Sequence, residues 1–380
     1  MTRITIIRHA EAEGNLYRRV HGWFDSLITP TGRSQIERLE ERIRKELQTG
    51  LKYDAIYSSD LKRTMETAGA VSRAASLPVM PRRDLREINS GEWEDLPWGY
   101  CYREYPDLLK NYAAFPDWRV NGGESTAELC RRLGRALDEI LDENAGKSVV
   151  IVSHAVAIRA LFCRIYGLSP AELRKTPMVS NASVSSFEYD GTRFVELFIN
   201  DSSHLSEITQ LKALSPDGED TESTQLWYRA ADINSDLPLV EQFWKDSWLA
   251  VYGSLRDFDG AAVRSEAARI LRANGEAICF AMMGDREIGI LVMDTTDLTE
   301  EDCGHISLFA IAPGYRGRHL AVQLLGQAVS FYRRLGRKYL KLRVSPTNRK
   351  AIVFYEKNDF FSCGYCNGSN SNLLLMKKKI

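Results

Sequence analysis

The sequence predicts a two-domain α/β protein, and three observations carry that prediction. The chain has 380 residues, more than a single typical hydrophobic core encloses. In both halves short β-branched apolar runs alternate with amphipathic stretches, the pattern of sheet strands flanked by helices. Between the halves, residues 206–225 (SEITQLKALSPDGEDTESTQ) turn polar and acidic and carry a Pro-Asp-Gly turn signal, which marks a linker. The expected division is a first domain at 1–205, a linker at 206–225 and a second domain at 226–380.

In the first domain residues 4–7 (ITII) form a strand that ends at Arg8 and His9. A helix over 31–47, a strand in DAIYSS and a helix over 63–75 follow. Residues 149–152 (VVIV) form a second buried strand, which ends at His154 and leads into helix-compatible sequence. Runs of this kind predict a mostly parallel sheet, and ligands bind at the rim where such strands end. In the second domain LWYRAAD reads as a strand, 238–252 and 261–273 as helices, and AICFAMM with GILVMD as a hairpin. HISLFAI, a helix over 317–335, the strand KYLKLRV, a helix over 349–358 and a closing strand pair complete it.

Composition narrows the function classes. With 44% hydrophobic and 27% charged residues and a formal net charge of -1, the chain has no global attraction for nucleic acid or anionic membrane. No apolar run reaches membrane-spanning length and the first ten residues do not form a signal peptide, so a cytoplasmic location is expected. Seven cysteines, an odd number, suit reduced thiols. Cys363 and Cys366 make the one CxxC and are read as small strand residues.

A protein that transfers a phosphoryl group needs a nucleophile, fixed cations for three equatorial oxygens and a proton donor for the leaving oxygen. Arg8, His9, Arg63, Glu87 and His154 supply these types, four of them at strand ends or helix starts. The motifs around them, RHAEAEGN, SSDLKRTMETA, LREINSGEWEDL and VSHA, occur in an order that resembles the histidine phosphatase superfamily. That family shares the phosphoglycerate-mutase-like α/β sandwich. The resemblance implies His9 as the nucleophile, Arg8, Arg63 and a protonated His154 as the phosphate pocket, and Glu87 as general acid. It implies Asn15 as a phosphate or substrate contact and Gly22 and Ser125 as substrate-binding positions, with no metal or other cofactor. LITPTGRSQ and NGGES match further segments near the pocket mouth. Ala10 stands where the family has glycine, and His21 where glutamine is more frequent. The interval from Glu87 to His154 is short, as in the phosphatases, and its eight aromatics between Trp93 and Trp118 form either a lid or the packing of a helical cap.

Residues 309–325 (FAIAPGYRGRHLAVQLL) join a strand to a helix through a turn rich in backbone donors, a geometry that cradles pyrophosphate. With SPTNRKAIVFYEKNDF downstream, the segment resembles the GNAT-type N-acetyltransferases, which have a mixed α/β fold and use acetyl-CoA. The implied cofactor contacts are Ile311, Arg316, Gly317, Arg318, His319, Leu320, Ala321 and Asn348, with Tyr355 as the acid that protonates the departing thiolate. His319 takes the place of a usual glycine. His305 and Glu287 lie on strands that can face the acceptor, and neither is assigned as base. The whole chain therefore reads as a metal-independent phosphomonoesterase fused to an acetyl-CoA-dependent N-acetyltransferase. Its partners would be a small phosphomonoester and an amine, with the oligomeric state left open. Two rival readings are a mutase and a phosphatase regulated by a non-catalytic acyl-CoA-binding domain.

Overall fold

A computed structural model describes residues 1–107, 115–208, 225–296, 302–367 and 372–380. The chain divides into two compact units, Met1–Leu96 with Cys101–Leu214, and Ser215–Ile380 with Pro97–Tyr100. Of the expected linker, residues 209–224 lie outside the described residues. Before it, Leu205 is buried in the first core and Ile208 packs against that core.

The first unit contains β1 (Thr2–Arg8), α1 (Glu13–Tyr17), α2 (Pro30–Gln48), β2 (Ala55–Ser58), α3 (Lys62–Ala75), β3 (Val79–Pro81), α4 (Trp98–Glu104) from Cys101 onward, α5 (Thr126–Glu143), β4 (Ser148–Ser153), α6 (Ala155–Tyr166), β5 (Val184–Tyr189) and β6 (Phe194–Asp201). Its sheet runs β3-β2-β4-β1-β5-β6. The first three pairings are parallel and the last two antiparallel. The period of two in the strands sends alternate residues to opposite faces. Ile4, Ile6, Val149 and Ile151 meet α5 and α6 through Leu133, Leu137 and Leu161. Ile7, Ile56, Val150 and Val152 meet α2 and α3 through Leu39, Ile43 and Val71. The result is the expected α/β sandwich. Because Arg8 pairs with Ser153 and Ser58 with Val152, β1, β2 and β4 end level and deliver His9, Ser59 and His154 to one rim.

The second unit contains β7 (Trp227–Ala230), α7 (Leu237–Tyr252), α8 (Gly260–Ala273), β8 (Ile278–Met283), β9 (Arg286–Asp294), β10 (Cys303–Ile311), α9 (Ala321–Arg334), β11 (Tyr339–Val344), α10 (Arg349–Lys357), β12 (Phe361–Asn367) and β13 (Asn372–Lys379). The sheet order is β12-β13-β11-β10-β9-β8-β7, with β10 and β11 the one parallel pair among the described strands. That pair is registered only from Cys303–Tyr339 to Ile306–Leu342, although β10 continues to Ile311, so the two strands part toward their C-terminal ends. The helix expected from residue 317 starts at Ala321, and residues 312–320 form the loop before it. No helix among the described residues is long and apolar enough to cross a membrane.

Candidate functional site

At the rim of the first sheet His9 and His154 lie with ring centroids 5.2 Å apart. His9 is 3% exposed, and its Nδ1 is 2.7 Å from the Ala10 carbonyl oxygen. A carbonyl only accepts, so the proton sits on Nδ1 and Nε2 keeps its lone pair. Burial, then the Arg63 and Arg8 charges, hold the His9 pKa well below its ordinary value. The ring is a neutral imidazole with a fixed tautomer, the form a nucleophile requires. Ala10 stands where the sequence suggested a conformational constraint, yet it needs no positive φ and donates its N–H to Thr67 Oγ1 at 3.0 Å.

Arg63 is fully buried in the first turn of α3. Its Nη1 donates to Phe24 O at 2.9 Å, its Nη2 to Gly22 O at 2.8 Å and its Nε to His154 Nδ1 at 3.2 Å. Arginine cannot accept, so His154 Nδ1 is unprotonated and its Nε2–H faces Ser59 Oγ at 2.9 Å. Burial and the Arg63 charge push its pKa well down. The guanidinium occupies the nitrogen that a second proton would need, while the expectation of a protonated His154 concerns the ring beside a bound phosphate. Arg8 donates through Nη1 to Val179 O at 2.6 Å, while its buried Nε has no partner among the described residues. Burial lowers its pKa to about 10, which leaves it a cation.

Glu87 is 8% exposed, and both its oxygens face the start of α6. Oε1 accepts from Ala157 N at 2.9 Å and Ile88 N at 3.0 Å, and Oε2 accepts from Val156 N at 3.1 Å. The Val156 and Ala157 N–H groups are first-turn donors of α6, whose N-cap position is His154. The Glu87 charge acts on both Arg8 and Arg63, which places it at the same pocket. His21 belongs there too. Burial and the two arginines hold its pKa well below the ordinary value, its Nε2 lies 3.2 Å from Ser26 Oγ, and its ring fills the space a Cβ on Gly14 would take.

Three expected substrate contacts have other work in the structure. Gly22 takes φ +48, and its carbonyl receives Arg63, so it shapes the pocket wall from behind the cation. Asn15 Oδ1 accepts from Ala12 N at 3.0 Å and from Asn181 Nδ2 at 3.3 Å, tying the loop after His9 to residue 181. Ser125 is the N-cap of α5: its Oγ accepts from Glu128 N at 3.2 Å, and its N–H donates to Glu128 Oε2 at 2.9 Å. The LITPTGRSQ segment buttresses the nucleophile loop, since Thr29 caps α2 and donates to the Glu11 carboxylate while Gly32 lets the helix approach Glu11 O. Of the aromatics, Trp93 is buried against Tyr105 and Trp118, Phe115 is exposed, and Tyr112 lies outside the described residues.

Sequence reasoning missed Ser59, Thr67, Asn181 and Arg132. Thr67 stands one helical turn after Arg63, and Ser59 directly follows the end of β2, so both carried a positional signal. Arg132 carried none. From α5 it grips the Glu124 carboxylate with two nitrogens and donates to the carbonyls of Asp84, Arg86 and Glu87 at 2.8, 2.9 and 3.1 Å, pinning the segment that carries Glu87.

In the second unit the loop from Ile311 to Ala321 lies beyond the parting strands. Arg316 Nε donates to Ile311 O at 2.8 Å, Arg318 lies over the Tyr315 ring at 5.4 Å, and Leu320 is buried at the N-cap of α9. The N–H groups of residues 317–322 meet no acceptor among the described residues, and the space beside Gly314 and Gly317 is open. His319 adopts φ +57, the left-handed backbone a glycine would take without cost. Asn348 caps α10 through its side chain, which accepts from Ala351 N at 3.2 Å. Tyr355 is buried against Phe309, Phe354 and Phe360, and that burial raises its hydroxyl pKa. Glu287 is paired with Arg229 at 3.1 Å, and His305 is buried on β10.

Comparison with known proteins agrees with both halves. The model of the histidine phosphatase superfamily (branch 1) matches residues 4–202, and that of the acetyltransferase (GNAT) family matches 238–360. Phosphoglycerate mutase-like protein 4 of Arabidopsis thaliana is 34% identical over 211 residues, covering 54% of this chain and 87% of that protein. Phosphoserine phosphatase 1 of Hydrogenobacter thermophilus is 31% identical over 208 residues, covering 54% of this chain and 96% of that protein. Among solved structures, Bacillus stearothermophilus YhfR superposes with a TM-score of 0.50 at 29% identity, covering 54% of this chain and all of that one.

Proposed function

The chain belongs to the histidine phosphatase superfamily through residues 4–202 and carries a GNAT-type domain after it, and on that premise we propose that it is a bifunctional enzyme with the domain limits 1–205 and 226–380. Its first activity is hydrolysis of a small phosphomonoester through phosphohistidine. The observation that carries this reading is the fixed tautomer of His9, a buried neutral imidazole whose free Nε2 shares a pocket with the buried Arg63 and half-buried Arg8 guanidinium groups.

In the proposed first step His9 Nε2 attacks phosphorus in line, and Glu87 gives a proton to the departing oxygen. Glu87 Oε2 accepts a single amide bond, so a lone pair is left for that proton. Arg8 and Arg63 supply donors to the equatorial oxygens, Arg8 Nε being without a partner among the described residues, and neutral His154 joins them only by passing its Nε2–H from Ser59 to the phosphate. Asn15 has its amide nitrogen to offer, since its oxygen is already engaged. In the second step Glu87 takes a proton from water, which attacks phosphohistidine and releases phosphate. A screen for phosphate release across phosphorylated metabolites, run with wild type and His9→Ala, tests the reading. Activity lost in the variant, with an acid-labile phosphoenzyme trapped in wild type, supports it. Isomerised ester in place of free phosphate makes the domain a mutase, and unchanged activity in His9→Ala overturns the mechanism.

The second activity is acetyl-CoA-dependent N-acetylation of an amine. The residues present fit that cofactor: the N–H groups of 317–322 are without acceptors among the described residues, Arg316 and Arg318 add positive charge, and β10 and β11 part beside them. Ile311, Arg316, Gly317, Arg318, His319, Leu320, Ala321 and Asn348 would hold acetyl-CoA, which supplies an activated acyl group. Tyr355 is kept as a neutral phenol by its burial, the state in which it has a proton to give. CoA binding by calorimetry alongside an amine-acceptor screen tests this half. Binding without transfer to any amine makes the domain a sensor.

A further inference from the structure

Glu87 belongs to no helix or strand, so side-chain contacts fix its place beside the phosphate pocket. Its backbone carbonyl accepts two hydrogen bonds, from Arg132 Nη2 at 3.1 Å and from the Trp23 indole Nε1 at 2.8 Å. A carbonyl oxygen has two lone pairs, and these donors fill both. The backbone of Trp23 lies in the turn that cradles Arg63: the carbonyls on either side of it, Gly22 O and Phe24 O, receive the two Arg63 Nη atoms at 2.8 and 2.9 Å. The Trp23 N–H is held by Glu94 Oε1 at 2.6 Å, which also accepts from Ser90 N at 3.2 Å. The indole is braced as well. Arg83 and Arg86 lie over it with their guanidinium carbons 5.1 and 5.0 Å from the ring centroid, and Arg86 donates to both oxygens of Asp60 at 2.5 and 2.6 Å.

Trp23 thus joins the two parts of the site. Its main chain sits between the carbonyls that hold the phosphate-binding cation, and its side chain holds the segment that carries the carboxyl group. We propose that Trp23 is a positioning residue whose indole N–H sets Glu87 against the phosphate pocket, and that this bond suits the site to alkyl phosphomonoesters. The proposal rests on Glu87 as the proton donor. In an alkyl ester the bond from phosphorus to oxygen breaks as the Glu87 proton moves to the departing oxygen, while His9 Nε2 forms its bond to phosphorus. An aryl ester such as p-nitrophenyl phosphate departs as a stabilised phenolate and needs no acid. General-acid transfer contributes about 10²–10⁴-fold, and a misplacement of about 1 Å costs about 10²-fold. With Arg132 still on the carbonyl, loss of the indole donor takes part of that range.

The test is the ratio of kcat/KM for β-glycerophosphate to kcat/KM for p-nitrophenyl phosphate, measured on the full chain, because kcat/KM reports the steps up to departure of the leaving group. Trp23→Phe removes the donor and keeps a ring under the arginines. Benzothienylalanine in place of Trp23 keeps the bicyclic shape and exchanges the N–H for sulfur. Each should lower the ratio at least about tenfold, and Glu87→Gln should lower it further. Trp23→Phe combined with Glu87→Gln should match Glu87→Gln alone, since the indole acts through Glu87. A ratio unchanged from wild type in the benzothienylalanine protein, an equal loss with both esters included, makes Trp23 a structural residue and overturns the proposal. A further fall in the double variant overturns its action through Glu87. If Glu87→Gln itself leaves the ratio unchanged, Glu87 is not the proton donor and the proposal falls with that reading. Absence of turnover of both esters in wild type overturns the phosphatase reading, and the proposal with it.

Discussion

Acidification should destabilise the first unit in a way set by three histidines, His9 and His154 buried and His21 half-buried. His9, His21 and His154 are each held well below the ordinary value, first by burial and then by the Arg63 charge. In the unfolded chain each protonates near pH 6.5. A depressed folded pKa means that the unfolded state binds more protons at mildly acid pH. The stability is therefore fully present above about 6.5 and is lost as pH falls below it. For a histidine that stays neutral in the fold, the loss at about pH 5.5 is RT ln 11, about 1.4 kcal/mol, so three give about 4 kcal/mol. Against a typical domain stability of about 5–15 kcal/mol, that is a large share. Urea unfolding of the full chain at about pH 7.5, 6.5 and 5.5, followed by tryptophan fluorescence, measures it. The expected drop in midpoint is about 2 M for a typical slope of about 2 kcal/mol per molar. His21→Gln should remove about a third of the pH dependence. Stability that changes by less than about 1 kcal/mol over this range, or an unchanged dependence in His21→Gln, refutes the reasoning.

Three further outcomes follow from single contacts. Arg132→Lys keeps the charge but loses the fork that serves a carboxylate and three carbonyls, so it should cost about 2–4 kcal/mol in urea unfolding and lower kcat more than it raises KM. Ser125→Ala removes an N-cap and should cost about 1 kcal/mol of stability with KM unchanged, whereas a raised KM would restore the substrate contact expected from sequence. His319→Gly relieves a left-handed non-glycine residue, so it should raise the melting temperature of the second unit, by a net gain of about 0.5–1 kcal/mol, and tighten CoA binding in calorimetry.

Much of this was legible along the chain because the signals are local. Period-two runs ending in Arg8-His9 and at His154, the Arg63 helix start and the glycine-bearing loop at 312–320 each depend on neighbours a few residues away, and both folds followed from their order. Helix bounds predicted from caps and breakers fell close to those observed, except at residue 317, where Gly317 and His319 both take positive φ and delay the helix to Ala321. The linker at 206–225 was read from composition, and the described residues bear on its two ends alone.

What the tertiary structure decided is protonation and division of labour, because both depend on partners distant in sequence. His154 is neutral because Arg63, 91 residues away, donates to its Nδ1. Ser125 and Gly22 serve the scaffold because a helix start and a buried guanidinium claim their polar atoms first. Arg132 carries no motif at all, since its meaning arises only where α5 packs beside the Glu87 segment. The sequence by itself determined which residue types reach the rim of each sheet. Only the packing of the chain, by desolvating some of those groups and saturating others, determined which atoms remain free to react.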